Sequence, residues 1–378
     1  MIYLDAAATT LEKPMSVSGA VAAAVQAMSS PGRGNYPAAR LAEETAFHCR
    51  SEAAELFGVD SPERVIFTAN ATHGLNIAIK TLVKPGARVI LSGYEHNAVV
   101  RPLYAIDDVE LVVLDTPVFA QQQMLDELDA ALQVGADAVI STHVSNVFGY
   151  ILPIEKIAAM CRQYHVPLIV DASQSAGILE VSLSAWGAAF IAMPGHKALY
   201  GPQGTGLLLC GIDGEPLLMG GTGSASRSRV MPAELPDRLE AGTHNMPGIA
   251  GLLEGIRFVR RRGLASIAAH DRNMACRAAE QIGAIPGTRV FAAAQQMHQT
   301  GVLSFLVEGK SCEELGEVLG GKGVAVRAGL HCAPLAHQTV GTLETGTIRI
   351  SPSVFTSPQD IDRFCGLLRS AIRESEGF

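Results

Sequence analysis

The sequence predicts an α/β protein with a mostly parallel central sheet covered by helices, followed by a smaller α+β domain. Three observations predict it. From about residue 60 onward, short apolar runs alternate with helical stretches. Most of those runs are apolar on both faces, as strands covered by helices on each side must be. After Gly242 the alternation gives way to longer helices and isolated strands. A chain of 378 residues, 48% hydrophobic and with 38 glycines, has room for one large core and a smaller second one.

Taken in order, the strand-like runs are 64–68, 88–92, 109–114, 136–142, 167–171 and 188–193, with helical stretches 72–83, 123–133 and 154–164 among them. In such doubly wound sheets ligands bind at the carboxyl ends of the strands. Thr72, the 143–146 stretch, Asp171 and Lys197 fall at those ends. Helices at 249–262 and 265–282 follow, then strands at 300–307, 324–327 and 347–351 and an amphipathic helix at 358–372. The expected division is an N-terminal segment, 1–30, packing with the small domain; a large domain, 31–245; and a small domain, 246–378, carrying Cys332.

A net charge of −8 without a basic block weighs against nucleic acid as a partner. No apolar run reaches the roughly 20 residues that span a bilayer, so no membrane association is expected. The opening Met1-Ile2-Tyr3-Leu4-Asp5 has neither a basic start nor an apolar core, so it does not read as a secretory signal, and the cytoplasm is the expected location. Seven cysteines without a CxxC pair predict no metal site and no disulfide framework. Six read as small buried apolar side chains. Cys332 differs, because it lies in a polar, turn-rich stretch between Arg327 and Pro334.

The chemistry centres on two strand ends. Lys197, in Gly195-His196-Lys197, closes the run 188–193, and Asp171 ends the apolar Leu168-Ile169-Val170. A lysine amine beside a carboxylate is what an aldehyde cofactor with a ring nitrogen requires. The amine condenses with the aldehyde, and the carboxylate keeps the ring nitrogen protonated. Most lysines are solvated surface charges, but a lysine between an apolar strand and Tyr200-Gly201-Pro202 is poorly placed for that. Gly201-Pro202-Gln203-Gly204-Thr205-Gly206 lacks the GxGxxG spacing of a dinucleotide loop.

Five stretches in order carry a resemblance. They are Tyr3-Leu4-Asp5-Ala6-Ala7-Ala8-Thr9-Thr10, Glu95-His96-Asn97, His143-Val144-Ser145-Asn146-Val147-Phe148-Gly149, Gly195-His196-Lys197 and Arg327-Ala328-Gly329-Leu330-His331-Cys332-Ala333-Pro334. Nearly end to end, the chain resembles the cysteine desulfurases and selenocysteine lyases of the class V aminotransferase group. These are fold-type I enzymes dependent on pyridoxal 5'-phosphate (PLP). The short connection to Cys332 resembles the group II form.

The resemblance implies a role for each matching residue. Lys197 carries the cofactor. Ala71, Thr72 and His196 cradle its phosphate, and Thr243 reaches the phosphate of the neighbour in a homodimer. Asp171 pairs with the ring nitrogen, while Gln174 and Asn146 lie beside the ring oxygen. His96 stacks on the ring and moves protons, and Arg349 grips the substrate carboxylate, with Asn146 near it. Cys332, its thiolate favoured by Arg327 and His331, attacks the substrate sulfur.

The implied reaction converts L-cysteine to L-alanine and leaves a persulfide for a protein or small-molecule acceptor. L-selenocysteine as substrate, other C–S lyase chemistry and a class V aminotransferase remain the alternatives. Two departures from the family pattern stand out. Pro194 replaces a hydroxyl residue, leaving the phosphate to backbone donors or to the 220–224 segment, and Ala6 replaces an asparagine.

Overall fold

The computed structural model describes residues 1–32 and 34–374. Strand β1 (Ile2–Tyr3) and helices α1 (Met15–Ala27) and α2 (Pro37–Leu56) come first. The large sheet is then laid down by β2 (Val65–Thr68), α3 (Ala71–Leu82), β3 (Arg88–Ser92), α4 (Asn97–Tyr104), β4 (Glu110–Leu114), α5 (Gln121–Val134), β5 (Ala138–Thr142) and α6 (Ile154–Gln163). It is completed by β6 (Leu168–Asp171), α7 (Leu183–Trp186), β7 (Phe190–Pro194) and β8 (Gly206–Cys210). The C-terminal part comprises α8 (Met246–Arg262), α9 (Leu264–Gly283), β9 (Thr288–Phe291), β10 (Leu303–Val307), α10 (Cys312–Gly321) and β11 (Val324–Ala325). It ends with β12 (Arg327–Gly329), α11 (Pro334–Val340), β13 (Thr347–Ile350) and α12 (Pro358–Glu374).

The seven strands run in the order β2-β8-β7-β6-β5-β3-β4. Every pair from β7 to β4 is parallel, and only β8 runs antiparallel to its neighbours. Sequence reading missed β8, because a five-residue apolar run after a glycine-rich loop carries no periodicity of its own. The 201–206 stretch is therefore the turn into an antiparallel strand, not a strand-to-helix phosphate loop.

Alternate residues of each strand face opposite helical layers, which explains why the runs read as apolar on both faces. Val139, Val170 and Ile191 belong to the core under α2, α5 and α6. Ile140, Ile169 and Phe190 belong to the core under α3 and α4. Each parallel crossover returns the chain to the same edge, so the carboxyl ends of β3, β5, β6 and β7 lie side by side.

The C-terminal sheet, β12-β13-β10-β9, is antiparallel. It packs on α9, α10 and α12 through a separate core that includes Ile282, Phe305, Leu319 and Phe364. The N-terminus joins this core, since β1 pairs parallel with β11 and both Ile2 and Leu4 are buried in it. Helix α1 instead lies along α8. Gly251 permits that approach, because a Cβ there would stand 2.8 Å from Val21 Cγ2. Met246, Ile249, Leu252 and Ile256 of α8 bury their side chains in the large-sheet core, and the change of core comes with α9. Among the described residues no helix is long and apolar enough to cross a membrane.

Candidate active site

The adjacent strand ends, the start of α3 and the β12–β13 hairpin enclose a cavity of about 270 Å³. His96, Asn146, Asp171, Lys197, Cys332 and Arg349 all line it. So do Ala71, Thr72, Gln174 and His196. Thr243 does not. It lines a neighbouring cavity with His73, Thr205 and His244. The 220–224 segment lies elsewhere, around a surface hollow with Met219, Val230 and Met231. A larger, open hollow of about 680 Å³ sits at the opposite ends of the strands, beside Arg64, Pro167 and Cys210, and holds none of these residues.

Lys197 follows β7 at the point where Thr9 and Thr10 cross it. Thr10 N donates to His196 O at 3.1 Å and Thr10 Oγ1 does so at 3.0 Å. Lys13 Nζ reaches Thr10 Oγ1 at 2.8 Å and His196 O at 3.4 Å. This clamp on the peptide before Lys197 escaped sequence reading, since nothing local shows that residues 9–13 lie over residue 196. Burial lowers the Lys197 amine to a pKa of about 8; Asp171 opposes the shift, while Arg349 and Arg327 add to it. Burial likewise brings Lys13 to about 8.

Asp171 closes β6, and its Oδ1 accepts from Ser173 N at 2.9 Å. His96 caps α4, its Nδ1 accepting from Ala98 N at 3.0 Å, which leaves the ring proton on Nε2. Burial depresses His96 to about 4 against the pull of Asp171, so the ring is neutral at physiological pH. The preceding Glu95 is fully buried. Its Oε1 accepts from Ser92 Oγ at 2.5 Å and Thr142 N at 2.7 Å. Burial raises its carboxyl to about 8, and Asp171 adds to the shift.

The start of α3 offers an anion cradle. Asn70, not Thr72, is the N-cap, its Oδ1 accepting from His73 N at 2.9 Å. The amides of Ala71 and Thr72 lie in the first turn, where no intrahelical acceptor exists. His196 Nδ1 is 3.0 Å from Thr9 Oγ1, and its ring is neutral, depressed by burial, Lys197 and Lys13 to about 4. At the Pro194 departure the backbone simply pairs with Gly206 at the end of the β7–β8 ladder.

Arg349 is only 1% exposed. Its Nη2 meets Asp5 Oδ1 at 2.7 Å and its Nη1 donates to Asn146 O at 2.8 Å. Its Nε has no partner among the described residues. That nitrogen is closed off within the cavity wall. Two amides are already engaged: Asn146 Nδ2 donates to His331 O at 2.8 Å, and Gln174 Nε2 donates to Ala7 O at 2.9 Å. Each keeps its second N–H and its side-chain oxygen.

Cys332 is exposed, and Arg327 Nη2 stands 3.9 Å from its sulfur. The expected second cation is absent. His331 is turned inward, 4% exposed, and burial, Arg349, His337 and Arg327 hold its pKa well below the usual value. Only Arg327 supplies positive charge to the thiol from this loop. The other cysteines are buried, apart from the half-buried Cys276.

The arrangement fits PLP on its own chemistry: a reactive amine, a carboxylate one strand away, a neutral imidazole and an open helix start. Comparison with known proteins gives the family. Residues 2–364 match the Aminotransferase class-V family. A probable cysteine desulfurase of Methanothermobacter thermautotrophicus is 30% identical over 391 residues, covering 100% of this chain and 95% of that protein. One from Mycolicibacterium paratuberculosis is 29% identical over 389 residues, and there the chain spans only 56% of the relative's length. The solved apo structure of a cysteine desulfurase from Thermococcus onnurineus superimposes with a TM-score of 0.89 at 27% identity, covering 98% of this chain and 94% of that one.

Proposed function

The chain belongs to the aminotransferase class-V family, and from that premise we propose that it is a PLP-dependent cysteine desulfurase, converting L-cysteine to L-alanine and a persulfide on Cys332. The observation that carries this reading is the exposed Cys332 sulfur beside Arg327, on the same cavity wall as Lys197, Asp171 and Arg349. An aminotransferase needs no such thiol.

In this reading Lys197 holds PLP, Asp171 its ring nitrogen, and the α3 amides at Ala71 and Thr72 with His196 its phosphate. When bound, PLP supplies an electron sink that stabilises negative charge at the substrate Cα. Arg349, which lines the cavity, takes the substrate carboxylate, with Asp5 and Asn146 O fixing the guanidinium plane. The Lys197 amine, freed once the substrate amine takes its place and held by burial at a pKa of about 8, would accept the Cα proton. Neutral His96 exchanges its Nε2 proton with the reacting substrate.

The Cys332 thiolate then attacks the substrate sulfur, so that an S–S bond forms as the C–S bond breaks. The carbon left behind takes up a proton and leaves as alanine. The persulfide remains for transfer to a thiol acceptor, on a protein or a small molecule. Thr243, outside its own cavity, is assigned to the phosphate of a second subunit.

The test is mass spectrometry after a single turnover of L-cysteine without reductant. A gain of one sulfur on the Cys332 peptide is expected, with one alanine released. Cys332→Ser should retain the cofactor yet form no persulfide. Stoichiometric alanine without sulfur on Cys332, or full activity in Cys332→Ala, rejects the reading. Parallel turnover of L-selenocysteine decides the preferred chalcogen.

A further inference from the structure

Resting on the reading above, we infer that His331 is a positioning residue, the buried anchor that holds Cys332 in place through Thr347 and Ser304. His331 Nε2 lies 3.0 Å from Thr347 Oγ1, Thr347 Oγ1 lies 3.3 Å from Ser304 Oγ, and Ser304 Oγ lies 2.6 Å from Val147 O. The last of these oxygens can only accept. Ser304 must therefore spend its one proton on Val147 O, Thr347 must donate to Ser304, and His331 must donate to Thr347. The chain fixes the neutral Nε2–H tautomer of His331 and commits that proton to Thr347. Its other ring nitrogen has no partner among the described residues, as an unprotonated Nδ1 walled in by protein would.

The backbone shows what this anchor holds. His331 and Cys332 are consecutive non-glycine residues in the left-handed region, with φ of 51° and 58°. Side chains avoid that region, and two in succession persist only where surroundings impose them. Here the surroundings are specific. Asn146 Nδ2 donates to His331 O at 2.8 Å, Asn97 N donates to Cys332 O at 2.8 Å, and Ala333 N bonds Leu330 O at 2.9 Å. The peptide is thus pinned from the loops after β5 and β3, while the His331 ring is pinned from β13 and β10. The outward swing of the Cys332 side chain follows from the inward swing of the ring before it.

The same network reaches the substrate side. Asn146, which holds His331 O, presents its own backbone oxygen to Arg349 Nη1 at 2.8 Å. Thr347 and Arg349 are two residues apart on β13, and their strand pairs with β12, which leads into the cysteine loop. Arginine and cysteine are set at a common spacing by one hydrogen-bonded unit rather than by two independent loops.

The test compares Thr347→Val with Thr347→Ser, the latter keeping the hydroxyl. In holoenzyme, Thr347→Val should slow single-turnover persulfide formation on Cys332 on the order of 10- to 100-fold, as misplacement of a reacting group does. The KM for L-cysteine should stay within roughly twofold, because Arg349 keeps both its partners. Thr347→Ser should restore the rate to within about threefold of wild type, which a general loss of packing would not allow. The rate of iodoacetamide capture of Cys332, read on its peptide, should change in Thr347→Val alone.

An unchanged persulfide rate in Thr347→Val overturns the anchor, as does an equal loss in both variants. If wild type forms no persulfide, the desulfurase reading fails, and the capture rates alone then judge the anchor. A change confined to Thr347→Val upholds it, and equal rates in all three proteins overturn it.

Discussion

At the scale of single residues, burial sets protonation states that residue type alone does not reveal. The Lys197 amine, at about 8, sits well below an ordinary lysine at about 10.4 because it is buried. In cofactor-free protein an amine reagent should label its peptide with a midpoint near pH 8, whereas a midpoint above about 10 contradicts the burial argument. In holoenzyme, borohydride should fix the cofactor to this peptide, and Lys197→Ala should yield colourless protein. Glu95 shifts the other way, from the usual 4.5 to about 8. Between those values the folded state binds a proton that the unfolded chain has released. Its contribution to stability is full below about 4.5 and lost as pH rises through about 8. Glu95→Gln should therefore flatten the fall of the thermal midpoint across that window, and a wild-type slope left unchanged in the variant refutes the assignment.

At the scale of elements, β2 is an edge strand whose outer side is closed by a side chain instead of a neighbour. Glu240 Oε1 accepts from Phe67 N at 2.6 Å, standing in for the carbonyl a further strand would offer. Arg50 of α2 holds the same carboxylate through two contacts, at 2.8 and 2.6 Å, and its guanidinium lies 4.1 Å over the Phe67 ring. Both side chains are nearly excluded from water. Glu240→Ala should thus cost about 3–5 kcal/mol in denaturant unfolding, because it strands a buried arginine. A loss under about 1 kcal/mol would mean that water reaches Arg50 and that the pair is no anchor. The same contact secures the chain just before Thr243, so proper presentation of that threonine depends on it.

At the scale of the whole molecule, the proposed homodimer makes a prediction that one chain alone does not. Thr243 lies outside its own cavity, so Thr243→Ala should lose cofactor faster on dialysis while its Lys197 is still labelled normally. Sedimentation of wild type should show a dimer, and a fully active monomer at nanomolar concentration would refute the shared site. Much was legible beforehand. Six strand-like runs of the large sheet lie within two residues of β2 to β7, because apolar patterning is local and each strand is buried on both faces. Lys197 and Asp171 were named from their place at strand ends, and His96, Cys332 and Arg349 from the family resemblance; all five line one cavity. Other features were not legible. The antiparallel β8, the Lys13 clamp and the core shared by α8 and the large sheet depend on which distant segment packs where. His331 shows the division most clearly. Its place beside Cys332 reads as a second cation, yet folding buries the ring against Thr347 and makes it a neutral anchor. Sequence by itself determined which chemical groups are present and near which strand ends. The tertiary structure decided their charge and their hydrogen-bond partners, because desolvation and pairing arise only when segments far apart in the chain close over one another.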